Sequence, residues 1–188
     1  MNRSRPTRAS LPSSRARRIS YAVAAFALAV ASAPLAAQSM GSGMGDVVGL
    51  AVGTAAPGAA VETLDGNAVD ISQYIVGTAV ALEFWATWCP LCKQLEPAMQ
   101  AARRKYSGRV RFVSVGVNNH QTPAREKAYV AAKGLGGEYV FDRDGKAVAA
   151  YKAPDTSYLV VIDGAGNVVY TGVGGGQNVD AAIAKALR

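Results

Sequence analysis

A mixed β-sheet with helices on both faces is the fold class predicted by this sequence, and three observations carry the prediction. Strand-like and helix-like runs alternate through the middle of the chain, which implies parallel strands joined by right-handed crossovers. Asp65-Gly66 and Asp163-Gly164 each sit between apolar runs, the signature of a hairpin, and the second hairpin adds an antiparallel edge. The pair Cys89-Pro90-Leu91-Cys92 falls at a junction between a strand-like and a helix-like run.

The elements follow in order. Ala60 to Leu64 and Ala68-Val69 flank Asp65-Gly66-Asn67 as an N-terminal hairpin, and Ile71 to Ile75 reads as a short helical turn. Thr78 to Trp85 is apolar almost throughout, as a central strand should be. From Pro90 to Tyr106, Leu91, Leu95, Ala98, Met99, Ala102 and Tyr106 recur at spacings of three and four and give one apolar helix face. Pro97 lies inside that helix and should kink it. Val110 to Val117 is the next strand. Thr122 at the N-cap and Pro123 at N1 open a helix to Lys133. Glu138 to Phe141 is a short strand ended by Asp142-Arg143-Asp144-Gly145, and a further short helix is expected before the next strand. Tyr158 to Ile162 and Asn167 to Thr171 form the last hairpin, and Val179 to Leu187 a closing helix.

Residues 1–37 read as an export signal or an N-terminal anchor. Arg3, Arg5, Arg8, Arg15, Arg17 and Arg18 precede an apolar run from Ile19, and the small residues to Ala37 predict cleavage there. That run approaches the length of a transmembrane helix, so a membrane tether is the rival expectation. Residues 38–49 read as a flexible linker, and 50–188 as the folded domain. The chain carries 20 Lys+Arg against 13 Asp+Glu, a net +7. Without the six leader arginines 14 basic residues remain against 13 acids, so the domain is close to neutral and no basic patch argues for nucleic acid.

The domain contains two cysteines, and a domain of this size outside the cytoplasm does not need disulfide staples. The pair is therefore expected to be reactive. At a helix N-terminus, unpaired backbone N–H groups favour a thiolate, the reactive form. The alternative is half of a zinc or copper site, with His120 as a third ligand. Zinc takes four ligands, and the chain offers two Cys and one His. Asp142-x-Asp144-Gly145 and Asp163-x-x-x-Asn167 faintly suggest calcium loops but lack the terminal Glu, so turns are expected.

Glu83-Phe84-Trp85-Ala86-Thr87-Trp88-Cys89-Pro90-Leu91-Cys92 resembles the active-site segment of thioredoxin-fold thiol–disulfide oxidoreductases, and the surrounding chain resembles their exported TlpA/ResA-like (redoxin) branch. The resemblance covers residues 50–188. It implies a thioredoxin-like fold with an N-terminal hairpin extension and an inserted strand–helix unit. It implies no cofactor beyond a redox-active Cys89–Cys92 disulfide, with Cys89 the exposed nucleophile and Cys92 the buried resolving thiol. Glu83 falls where these proteins keep a buried acid under the resolving cysteine, and burial should raise its pKa and fit it for proton transfer. Trp88, Pro90, Leu91, Thr156 and Ser157 would line the substrate-docking surface. Protein thiols and disulfides are the implied partners, with an upstream membrane electron donor, a monomeric state and a periplasmic or cell-envelope location. Reduction of protein disulfides, in settings such as cytochrome c maturation, is the implied direction.

The sequence departs from the family pattern at two places. The family places a cis-proline where this chain has Ser157, preceded by Thr156, while Pro154 comes three residues early. A non-proline cis bond costs about 2.5–4 kcal/mol, so Thr156–Ser157 is expected trans. ResA-like proteins often carry Glu three residues after the second Cys, where Leu95 stands here, with Glu96 displaced by one. A peroxidase is disfavoured because Ala86 occupies the position three before Cys89, where peroxiredoxins need Thr.

Overall fold

The computed structural model describes residues 49–188, so the expected signal or anchor (1–37) and all of the expected linker but Gly49 lie outside the described residues. The strands are β1 (Ala60–Thr63), β2 (Ala68–Asp70), β3 (Ala79–Trp85), β4 (Val110–Val117), β5 (Glu138–Asp142), β6 (Tyr158–Ile162) and β7 (Val168–Val173). The helices are α1 (Ser72–Ile75), α2 (Pro90–Lys105), α3 (Pro123–Lys133), α4 (Lys146–Ala150) and α5 (Val179–Ala186). The strands form one sheet in the order β2-β1-β5-β4-β3-β6-β7. β3, β4 and β5 run parallel, while β6 and β7 are antiparallel, as expected for the closing hairpin. The N-terminal hairpin docks antiparallel on β5, with Glu62 opposite Phe141, a placement that local pattern does not reveal.

All seven residues of β3 are buried, because the strand lies inside the sheet with helices over both faces. Its side chains alternate between two cores. Val80, Leu82 and Phe84 meet Ile71, Ile75 and Tyr151 on one face. Ala79 and Ala81 meet Leu95 and Met99 of α2 and Ile183 of α5 on the other. Glu83 and Trp85 continue the second series, so they project toward the α2 side.

Side chains cap the starts of α3 and α5, the first of them as the sequence predicts. Thr122 Oγ1 accepts the Arg125 N–H, and Asn178 Oδ1 accepts the Ala181 N–H. The short helix before β6 is α4, and Asp142 Oδ2 accepts the N–H of Val148 in its first turn. Asp163 Oδ1 likewise takes the N–H groups of Ala165 and Asn167, so both aspartates make turns. α2 runs unbroken past Pro97.

Leu91, expected on the core face of α2, is turned out and 40% exposed. The buried stripe of α2 is set by Cys92, Leu95, Met99 and Ala102, and Leu91 lies about 100° round the helix from Cys92 in the first turn. Among the described residues no helix is long and apolar enough to cross a membrane.

Candidate active site

Cys89 and Cys92 form a disulfide where β3 hands over to α2, with Cα atoms 5.3 Å apart. Cys89 is the N-cap of α2, and its Sγ accepts the Cys92 backbone N–H at 3.0 Å. The helix-end N–H therefore points at the sulfur that carries charge when the pair is reduced, which favours its thiolate. Cys89 is only 1% exposed and Cys92 4%, so in this disulfide state neither sulfur is the open one that the resemblance implies for Cys89. Trp88 packs against the pair while its indole N–H donates to the Asn119 carbonyl at 2.7 Å, fixing the ring to the loop after β4.

Trp88 also borders a cleft of about 440 Å³ shared with Asn119, Arg143, Pro154, Asp155 and Thr156. Pro90 and Leu91 are exposed in the first turn of α2 and are not among the cleft's lining residues. Ser157 takes the place immediately before β6, where its N–H donates to the Phe84 carbonyl at 2.8 Å, and Pro154 lies out on the cleft. Ser157 is fully buried in the left-handed region, with φ 61. That backbone costs about 1–2 kcal/mol in a residue with a Cβ. Bonds to its carbonyl from Gly174 N and Gln177 Nε2 hold it there. Its Oγ has no hydrogen-bond partner among the described residues.

Glu83 is buried beneath α2, flanked across the sheet by Ser114 and Leu159. Burial pushes its carboxyl up to about 8, against the Arg103 guanidinium, which lowers it, and with Glu96, which raises it further. Arg103 Nη2 donates to Ser114 Oγ at 3.1 Å, and its Nη1 lies 3.8 Å from Glu96. Leu95 is fully buried in the core, so the acid shifted to position 96 acts on Glu83 through charge.

A second buried carboxylate escaped the sequence reading. Glu126 on α3 is fully buried and also pushed up to about 8 by burial, in spite of hydrogen bonds from Trp85 and Gln121 that lower it. Gly116 within β4 was the available signal, since a glycine inside a strand often marks a close approach. His120 is exposed in the loop after β4. Among the described residues no group of three or more His, Cys, Asp or Glu side chains is placed to hold a metal.

A model of the AhpC/TSA family matches residues 52–171. The thioredoxin-like protein YneN of Bacillus subtilis is 30% identical over 99 residues, covering 52% of this chain and 58% of that protein. The thiol-disulfide oxidoreductase ResA of the same organism is 27% identical over 118 residues, covering 62% of this chain and 64% of ResA. A thiol:disulfide interchange protein of the thioredoxin family from Chlorobium tepidum superposes with a TM-score of 0.60 at 26% identity, covering 74% of this chain and 99% of that one. The fold is thus thioredoxin-like. The chain spans 58% to 65% of the length of the first curated relatives it matches.

Proposed function

This chain belongs to the AhpC/TSA family, within its TlpA/ResA-like redoxins, and from that premise we propose that it is a thiol–disulfide oxidoreductase that reduces protein disulfides in the bacterial cell envelope. The observation that carries the reading is the Cys89 Sγ at the N-cap of α2, accepting the Cys92 N–H. In the reduced protein the Cys89 thiolate attacks a substrate disulfide. An S–S bond forms between Cys89 and one substrate sulfur, and the other sulfur leaves as a thiolate. The Cys92 thiol gives its proton to Glu83, attacks Cys89 Sγ, and expels the second substrate sulfur. The two thiol protons end on the two released substrate thiols, and two electrons pass from the Cys89–Cys92 pair to the substrate.

A carboxyl near 8 suits Glu83 to this transfer, because an unperturbed thiol titrates at about 8.5 and a matched pair exchanges a proton with little driving force lost. Trp88 and Thr156, on the rim of the cleft, are the proposed docking residues, with Ser157 behind them. The same reading includes a membrane electron donor, attachment or export through residues 1–37, a monomeric state and a place in cytochrome c maturation. Cys89→Ser is expected to abolish reduction of insulin disulfides, and a variant that keeps this activity overturns the assignment. A reduction potential near the thioredoxin value of about −270 mV supports the reducing direction, whereas about −120 mV makes the protein an oxidant.

A further inference from the structure

The active-site loop from Trp85 to Cys89 is held from a second side by a carboxylate that the exchange steps do not use. Glu126 Oε1 accepts the Trp85 indole N–H at 3.0 Å, and its Oε2 accepts a Gln121 side-chain N–H at 3.0 Å. Gln121 Oε1 in turn accepts the Thr87 backbone N–H at 2.6 Å, two residues before Cys89. The seat is tight, because a Cβ added at Gly116 would overlap the Glu126 carboxylate. Tyr129 and Val130, on the same face of α3, pack against the cluster of Trp85, Ala86, Cys89 and Cys92.

Both oxygens of Glu126 face donors, so the ionised carboxylate satisfies the whole chain of bonds. A proton added to the carboxyl turns one oxygen into a hydroxyl, a poorer acceptor than a carboxylate, and an O–H that points at a donor opposes it. Toward Trp85 there is no accommodation, since an indole N–H only donates. Toward Gln121 the amide can turn over and accept, but its NH₂ then faces the Thr87 N–H, which loses its acceptor. In each case the bonds that hold the loop before Cys89 are weakened, and with the proton turned inward one of them is given up.

Resting on the reading of Cys89–Cys92 as an exchanging pair, we propose that Glu126 is a positioning residue for that exchange: its ionised carboxylate, acting through Trp85 and Gln121, fixes the loop that presents Cys89, and its protonation loosens that loop. Burial places the transition near neutral to mildly alkaline pH, since Glu126 is pushed up to about 8. Glu126 makes no ion pair among the described residues. On its own helix, the exposed Arg125 and Lys127 are bound to the His120 carbonyl and to Asp65. The other titratable groups around the network are Tyr129 on α3, Tyr139 on β5, Glu83 on β3, the exposed His120 and the two cysteines. Burial pushes Tyr139 up to about 12, so it stays neutral throughout.

The test follows the Trp85 indole N–H and Thr87 amide resonances of the oxidised, nitrogen-labelled full chain from about pH 6 to about pH 10, a range that brackets the shifted acid. In a Glu83→Gln background, which removes the other acid raised to that range, both are expected to titrate together with a midpoint near 8, and both to stay flat when Glu126→Gln is added, since that side chain cannot ionise. In insulin reduction, Glu126→Gln should match wild type at the acid end. At the alkaline end it should be slower by about fivefold, the worth of one hydrogen bond, with the loss in kcat and not in KM. Resonances in the wild-type protein that do not move across this range, or that move identically in the variant, overturn the proposal without relying on how the variant folds. A protein that exchanges disulfides with flat resonances refutes the loop contact, whereas one that titrates and reduces no disulfide refutes the exchange reading.

Discussion

Glu83 on β3 and Glu126 on α3 are both buried carboxyls pushed up to about 8, the first checked by the charge of Arg103 and the second by two neutral N–H donors. Desolvation dominates at each site, so the two acids reach a similar value by the same cause. Their partners make them different devices. The ionisation of Glu83 is balanced by charges, with Arg103 favouring it and Glu96 opposing it. Its proton can come and go without breaking a bond to the active-site loop. The ionisation of Glu126 is written into hydrogen bonds with fixed donor directions, so its proton alters the loop. On the proposed readings one acid carries a proton and the other holds a shape.

Three measurements would break or sharpen that contrast. The largest effect is expected for Glu83→Gln. Loss of a general acid–base should slow exchange by about a hundredfold at neutral pH, well beyond the loss at Glu126, and leave near 8 only the smaller inflection expected of Glu126. Stopped-flow thiol exchange against pH reads it, and an unchanged profile removes Glu83 from proton transfer. Next, Gly116→Ala should lower the free energy of unfolding by about 2 kcal/mol, because the new methyl displaces the Glu126 carboxylate from its seat. Urea denaturation of Gly116→Ala with and without Glu126→Ala tests the contact, since the two changes should fail to add. Full additivity would show that Gly116 does not seat Glu126.

The smallest effect concerns stability against pH. Both carboxyls have folded pKa values raised from 4.5 to about 8, so between those limits the native state binds more protons than the unfolded chain. Their joint contribution is therefore a stability present below about 4.5, falling as pH rises through this window and lost above about 8. Glu83→Gln and Glu126→Gln should each flatten that decline by about 1 kcal/mol or more, and thermal unfolding at a series of pH values checks it. Equal slopes in wild type and both variants would mean that neither acid is protonated in the fold.

Most of the local architecture was legible because its causes are local. Alternation and threefold-to-fourfold spacing located the strands and helices, and Thr122-Pro123 marked the start of α3. The cysteine pair was legible as chemistry because a strand–helix junction places it at unpaired N–H groups. Glu83 stood out as a lone acid in an apolar strand. Glu126 did not, because an acid in the first turns of a helix is ordinary, and only packing onto Gly116 turns it inward. Leu91 misled because spacing fixes a helix face only relative to whatever the helix rests on, and the first turn of α2 leaves Leu91 outside the stripe set by Cys92 and Leu95.

By itself the sequence determined the fold class, the cysteine pair at a strand–helix junction and the lone acid Glu83 in an apolar strand, since each depends on residue type and near-neighbour spacing. Only the tertiary structure decided the docking of the N-terminal hairpin on β5, the closed setting of both sulfurs, the left-handed backbone at Ser157 and the bond chain from Glu126 to Thr87. Those features arise between segments far apart in the chain, where burial and hydrogen-bond direction are set by what packs alongside, and no window of neighbouring residues carries that information.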